Sequence, residues 1–522
     1  MSNTNQATST ASVQADPASV LRLLAATFSS STTVLAELMQ NGRRAGATEL
    51  KIEATETELS IYDDGCGIED PSILLSVATS GWDEAIQAAE SPYGAGWVSA
   101  LFACERIVVE SQGKRMSGVT KDLIDLKPAL VEAIEKTEGT TIRLIGQRLG
   151  KLQTIRSAVA DYASGFPIPV SLNGEAVARP YAVDAQPFVQ TEVGLVNQEA
   201  LCDTGLTLRL FLQGLPISTG YRYHGTGVLH LDSTKFRGRM PDRAQVIDSD
   251  KAAKHLKEVL DEERRKFLTQ QCAKLGAEAF LIKHGEHARG LGMFQLLDSL
   301  DLTLCRWLPQ FAEHPHQEPS GGGIEVEWEG VVTREKAEAD GLYCVDYHDD
   351  DLLAAHVVHQ VRGRLVRTNA DNYWATRGKV LASEDFTVVM GDLLGEDRLS
   401  VDYAYARVRV VKSIVASGPL GEVAIPFHMD DGFLYVTPSS DPFYGVMQVS
   451  SFEFEEGSVD EDARRDAADA LAALVASIVT PDPAELLRAL MTSQMSSRPN
   501  GIKSKSFRVD IDEDGTFAVS LI

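Results

Sequence analysis

The sequence predicts an α+β protein of several domains, on three observations. Two runs near residues 49–64, ELKIEAT and ELSIYDD, alternate polar and apolar side chains as a half-buried β-hairpin does. Strand-like LTLRLFL and GVLHLD precede a long charged helix at about 249–275. Farther on, VDYAYARVRVV reads as strand and about 459–479 as helix. At 522 residues the chain exceeds what one core holds, which suggests about two to four domains.

Residues 1–16 have neither a basic start nor an apolar stretch, and read as a disordered lead-in rather than a secretory signal. PASVLRLLAATF, 17–28, has helical spacing after a proline start. The serines and threonines that follow supply N-cap chemistry for a second helix, roughly 32–45. A helical, almost cation-free stretch covers 70–90, then a helix near 95–104 and the strands RIVVESQ and TTIRLIG. PIPVSLNGEAVARP ends the first domain, 17–170, and a second α+β domain fills 171–312. HPHQEPSGGG, rich in proline and glycine, marks a linker at 313–323, with His314 and His316 expected in a flexible polar loop. The remainder, 324–522, reads as α+β with helices at about 459–479 and 482–494. It ends in the hairpin SFRVDI-DEDG-TFAVSLI, whose Asp-Gly marks the turn.

Composition narrows the function. A net charge of −26 disfavours a protein that coats nucleic acid, although local basic clusters occur at Arg362–Arg367, Arg407–Lys412 and Arg498–Arg508. The sequence shows no apolar run of the ~18 residues a membrane helix needs. The six cysteines are scattered without metal-ligand spacing, as expected of reduced thiols in a cytoplasmic protein.

The chemistry concentrates in four pieces of the first domain. Glu37 and Asn41, four apart, share a helix face. An Asn amide oxygen suits magnesium, and a glutamate beside it could orient or deprotonate a water. Two surface positions on an amphipathic helix would show the same spacing. Next, a strand ends in Asp63-Asp64-Gly65-Cys66-Gly67-Ile68, where a carboxylate could accept the exocyclic amine of adenine while glycines let backbone approach a ligand; an ordinary acidic turn reads alike. Third, Gly94-Ala95-Gly96-Trp97 opens a helix, which presents backbone N–H groups to an anion. Last, Glu138-Gly139-Thr140-Thr141 puts hydroxyls at a strand start.

In this order the pieces resemble the motifs of the GHKL ATPases, the superfamily of gyrase B, the ninety-kilodalton heat-shock chaperones, histidine kinases and MutL. TFSSSTTVLAELMQN and ELMQNGRRAGATELKI look like the chaperone and MutL first motif, DDGCGI like the second, YGAGWVSALFACERIVVESQG like the third and EGTTI like the fourth. The resemblance covers roughly residues 20–150. It implies a Bergerat α/β sandwich followed by a transducer-like domain, ATP with Mg2+ as cofactor, slow hydrolysis, and a homodimer formed on nucleotide binding. By position it implies Glu37 as general base, Asn41 as magnesium ligand and Asp63 on the adenine amine. Gly65, Gly67 and Ile68 would border the base, Gly94, Ala95, Gly96 and Trp97 would hold phosphate, and Thr140 would support the aspartate.

Two departures stand out. Arg44 replaces an aspartate often found after the magnesium Asn, and residues 70–92 hold no Lys or Arg, although relatives often place a lysine near the Ala78-Thr79-Ser80 segment. A cation would then come from the second domain, where Lys235, in a basic loop with Arg237, Arg239 and Arg243, is the first candidate. Three functions fit: an ATP-driven switch of chaperone or partner-remodelling type, a nucleotide-sensing scaffold with little hydrolysis, and a MutL-like DNA-processing factor.

Overall fold

The computed structural model describes residues 16–25, 30–76, 96–219, 226–239, 244–316, 324–346, 352–366, 372–401, 404–452, 460–480, 482–487, 505–514 and 516–522. The lead-in of residues 1–15, Gly94, Ala95 and most of the 70–92 stretch lie outside them. The chain forms two compact units, Met1–Gln270 and Gln271–Ile522.

The first unit opens with α1 (Pro17–Ala25) and α2 (Thr33–Arg44), then β1 (Leu50–Ala54) and β2 (Glu58–Asp63). Next come α3 (Gly96–Phe102), β3 (Arg106–Ser111), β4 (Lys114–Val119), β5 (Leu130–Ala133) and β6 (Thr140–Ile145). The helix α4 (Leu152–Ala163) and strands β7 (Val170–Leu172) and β8 (Glu175–Ala176) complete this part. The eight strands form one sheet in the order β5-β4-β3-β6-β2-β1-β7-β8. Every neighbour pair in it is antiparallel except β1 with β7.

Alternation explains the layers. β1 buries Leu50, Ile52 and Ala54 and exposes Lys51 and Glu53, so only one face needs covering. Val34, Leu35, Leu38 and Met39 of α2, Trp97 and Leu101 of α3, and Ile155 and Val159 of α4 cover it in a single core. The mixed α+β sandwich expected of the N-terminal part is thus the observed arrangement, its sheet running on through Ala176.

Some local expectations change. Thr32 precedes α2 but makes no side-chain cap. Its hydroxyl pairs with Ser30 at 2.9 Å and with the Tyr162 hydroxyl of α4 at 3.3 Å, so it joins two helices instead of closing one. The expected helix from 70 begins as a 3₁₀ turn, Pro71–Leu75, capped by the Asp70 carboxylate on the Ser72 amide.

A second sheet follows within the same unit, in the order β12-β11-β13-β10-β9. Its strands are β9 (Val189–Thr191), β10 (Gly194–Asn197), β11 (Arg209–Leu212), β12 (Leu215–Pro216) and β13 (Val228–Leu231). The charged helix α5 (Ser249–Leu275) packs Ala252, Leu256 and Leu260 onto it. The tight β11–β12 hairpin leans on the end of α4, where a Cβ at Gly165 would lie 2.3 Å from the Phe211 ring. Only a residue without a side chain fits there.

In the second unit, a four-stranded sheet and the helix Glu461–Val479 enclose one core that includes Leu434, Phe427 and Leu471. His314 and His316 depart from the expected polar loop: both are buried. The His314 ring lies 4.6 Å from that of His359 and 5.1 Å from that of His356, and burial pushes its pKa down to about 2. The His314 Nε2 lies 3.1 Å from the Gln360 amide nitrogen and the His356 Nε2 3.0 Å from the Pro315 carbonyl, and among the described residues no group of three or more ligands is arranged to hold a metal. The C-terminal hairpin is present as Phe507–Ile511 paired antiparallel with Phe517–Leu521. No described helix is long and apolar enough to cross a membrane.

Because Phe211 is 1 % exposed and has little room to yield, Gly165→Ala should lower the stability of the first unit by ~1–3 kcal/mol. Urea-denaturation midpoints measure it; an unchanged midpoint would mean that the ring shifts freely.

Candidate functional site

The site begins where α2 meets the end of β2. Gly42 makes the meeting close: a Cβ there would lie 2.6 Å from Leu50 Cδ2 and 3.1 Å from the Asp63 Cβ. Asn41 and Glu37, on the same helix, are held by that contact. The loop after β2 is tied back to the helix end by the Cys66 amide, which donates to the Ala45 carbonyl at 2.9 Å.

Asp63 and Asp64 are adjacent but have opposite environments. Asp64 accepts from the Thr48 amide at 2.7 Å, the Thr48 hydroxyl and the Glu49 amide at 3.0 Å. These bonds hold its carboxyl below the ordinary range, and it serves as a staple for the turn before β1. Asp63 is half-buried and accepts only from the Gly65 amide, at 3.0 Å. Burial, with a smaller push from Asp64 and against the Gly65 bond, raises its pKa to about 6. Among the described residues its second oxygen has no hydrogen-bond partner, which leaves it an open acceptor.

Register brings Thr140 to this aspartate. Asp63 pairs with Thr140 across β2 and β6, and Ser111 pairs with Thr140 across β3 and β6. Ser111, fully buried, donates to the Gly139 carbonyl at 2.9 Å, lies 3.2 Å from the Thr140 hydroxyl and accepts from the Ile68 amide at 2.7 Å. Gln112 donates to the Cys66 carbonyl at 2.7 Å. Gly139, at φ +66°, lies so close to the Asp63 carbonyl that a Cβ would fall 1.9 Å from its oxygen. The Gly65–Ile68 loop is therefore pinned from the ends of β2 and β3 and from the residue after α2. Ser111, Gln112 and Gly42 lie inside the motifs but show no signal of their own, because their roles depend on pairing.

Glu37 lies on the buried face of α2, with no hydrogen-bond or ion-pair partner among the described residues. It lines a cavity of about 90 Å³ with Thr33, Gln40 and Tyr162 on one side. The other side is Gln213, Leu215 and Ile217 of the second sheet's hairpin, and Ala244. Such a space holds several waters. Gln40 bridges the two parts by donating to the Gln213 carbonyl at 3.1 Å.

The remaining positions are placed as follows. Asn41 is half-buried, and its amide oxygen accepts from Arg44 at a long 3.3 Å. Gly96 begins α3, and Trp97 is buried in the core beneath. Lys235 is exposed and donates to the Glu192 carbonyl at 2.7 Å, outside the wall of the Glu37 cavity. Gly94, Ala95 and Arg243 are not among the described residues.

Residues 28–146 match the model of the histidine kinase-, DNA gyrase B- and HSP90-like ATPase family. The match spans α2 through β6, less than a quarter of the chain, and supports the GHKL superfamily for that segment. No curated protein matches the chain.

The raised pKa of Asp63 has a stability consequence. Its protonated form is favoured by the fold, so the group stabilises the protein below the unfolded pKa of 3.8 and loses that contribution as pH rises through about 6. The nearly isosteric Asp63→Asn should therefore be more stable than the wild type by ~1–2 kcal/mol at pH 7.5, allowing for partial exposure. The advantage should vanish as pH falls from 6 to 4, as followed by thermal unfolding across that range.

Proposed function

We propose that the first unit binds ATP with magnesium between α2, the loop after β2 and the start of α3, hydrolyses it slowly, and works as a conformational switch. The observation that carries this reading is the pair of unpartnered carboxylates served by one helix. Asp63, in contact with Gly42, offers an open acceptor, and Glu37 on the same helix faces a cavity large enough for water. The family match over residues 28–146 supports it independently.

In this proposal Asp63 accepts the exocyclic amine of adenine, with Thr140 and Ser111 holding its backbone in register. Gly65, Gly67 and Ile68 border the base. The backbone amides of Gly94, Ala95, Gly96 and Trp97 meet the phosphates at the helix start. Glu37 orients and deprotonates the attacking water, for which its place on the cavity wall suits it. Asn41 fits magnesium as a single oxygen ligand to an ion otherwise held by phosphate and water. The Arg44 guanidinium beside that oxygen disfavours a lone cation, so the metal enters with the nucleotide. When bound, it neutralises phosphate charge.

The phosphate also calls for a protein cation. Ala244 lines the Glu37 cavity, and its chain neighbour Arg243 belongs to the same basic loop as Lys235. Lys235 is the first candidate and Arg243, of the same loop, the second. The β11–β12 hairpin, touching α2 through Gln40, supports coupling of the nucleotide state to the second sheet and to nucleotide-dependent pairing of two chains. A client or partner is then remodelled as the cycle turns.

One observation favours a second reading, a nucleotide sensor with little turnover: among its described lining residues the Glu37 cavity has no Lys or Arg.

Asp63→Asn should abolish ATP binding in calorimetry. Glu37→Ala should bind ATP as the wild type does while steady-state phosphate release falls by ~10²-fold or more. Unchanged release in Glu37→Ala would remove its assigned role, and wild-type release at background would favour the sensor. Lys235→Ala should slow turnover while ATP binding persists. Magnesium alone should give no binding heat, and a clear magnesium isotherm without nucleotide would overturn the account of Asn41 and Arg44.

A further inference from the structure

Two consecutive residues where β3 ends hold the loop after β2, and the second of them does so from a strained backbone. Cys66, Gly67 and Ile68 follow Gly65, and a loop with two glycines loses much freedom when it orders around a ligand. Both ends of the segment are tied from one place. The Ile68 amide donates to the Ser111 hydroxyl at 2.7 Å, and the Gln112 side-chain amide donates to the Cys66 carbonyl at 2.7 Å. Gly67 lies between these ties at φ +77°. A Cβ there would fall 2.7 Å from the Gln112 Nε2 and 3.0 Å from the Ser111 Oγ.

Neighbouring residues of a strand point to opposite faces, so regular β backbone would not bring Ser111 and Gln112 to the same loop. Gln112 departs from that rule at φ +49°, in a two-residue turn with Gly113 at φ +81° that joins Ser111 to Lys114. Both central residues of such a turn need left-handed backbone, which asparagine and glycine adopt readily and other residues seldom do. Closing the hairpin does not explain a glutamine there. Asparagine would suit the turn better, but its side chain is one methylene shorter than the one that meets Cys66. Backbone strain kept at a position whose side chain shapes a ligand loop points to function.

We propose that Gln112 is a positioning residue for the nucleotide base, holding the Cys66–Gly67 backbone in its binding shape before the nucleotide arrives. This role presumes the ATP site proposed above and adds that base affinity is set from the β3–β4 turn. Gln112 does not line the Glu37 cavity, so the chemical step is left alone. Gln112→Gly relaxes the left-handed backbone while removing the tie to Cys66. In calorimetry on the full chain with magnesium, it should bind ATP about five- to tenfold more weakly than the wild type, the worth of one net hydrogen bond. The KM for ATP should rise by the same factor with kcat unchanged, and the thermal midpoint should not fall. Gln112→Glu, which keeps the reach but cannot donate, should weaken ATP binding likewise. Wild-type affinity in both variants, or a weakened Gln112→Gly whose kcat or thermal midpoint also falls, would overturn the proposal and leave the ATP site standing. Absence of ATP binding in the wild type would overturn the site itself, and this role with it.

Discussion

The backbone at Asp63 is confined on two sides by glycine. Gly42 lets α2 press against its Cβ, and Gly139 lets the start of β6 press against its carbonyl oxygen. This confinement desolvates the carboxylate without giving it an ion-pair partner, and so raises its pKa. It also fixes the height of α2 over the sheet, and hence where Asn41 and Glu37 stand. A side chain at either glycine would separate helix from sheet and shift Asn41 and Glu37 relative to Asp63.

Asp63 and Asp64 show how the fold divides labour between neighbours of equal chemistry. Strand alternation turns them to different surroundings. Asp64 meets three donors of the turn before β1, while Asp63 meets one amide. The first is a structural bond acceptor. The second keeps an unsatisfied oxygen at some cost in stability, a pattern typical of groups held ready for a ligand. Glu37 follows the same logic on the helix, where its buried position is tolerable because the hairpin of the second sheet leaves a cavity rather than filling it.

Much of this was legible in the residues. Spacing placed Glu37 and Asn41 on one helical turn, alternation gave β1 and β2 with nearly their observed bounds, and the Asp-Gly pair located the terminal turn. The hydroxyl of Thr32 and the imidazoles of His314 and His316 were misread for one reason. Each has a local role by composition, as cap or as polar loop, but its actual partner is distant: Tyr162 for the threonine, His356 and His359 for His314. Lys235, the first candidate cation of the basic loop, is exposed and donates to the Glu192 carbonyl.

The sequence by itself determined the periodic elements, the α+β class and the motif order, because helix and strand periods and turn residues act over a few positions. Tertiary structure alone decided that Ser111 and Thr140 brace Asp63, that Gln40 meets Gln213, and that Glu37 opens into a cavity shared with a second sheet. Those contacts join residues far apart in the chain. Only strand register and the close packing allowed by single glycines bring them within hydrogen-bond distance.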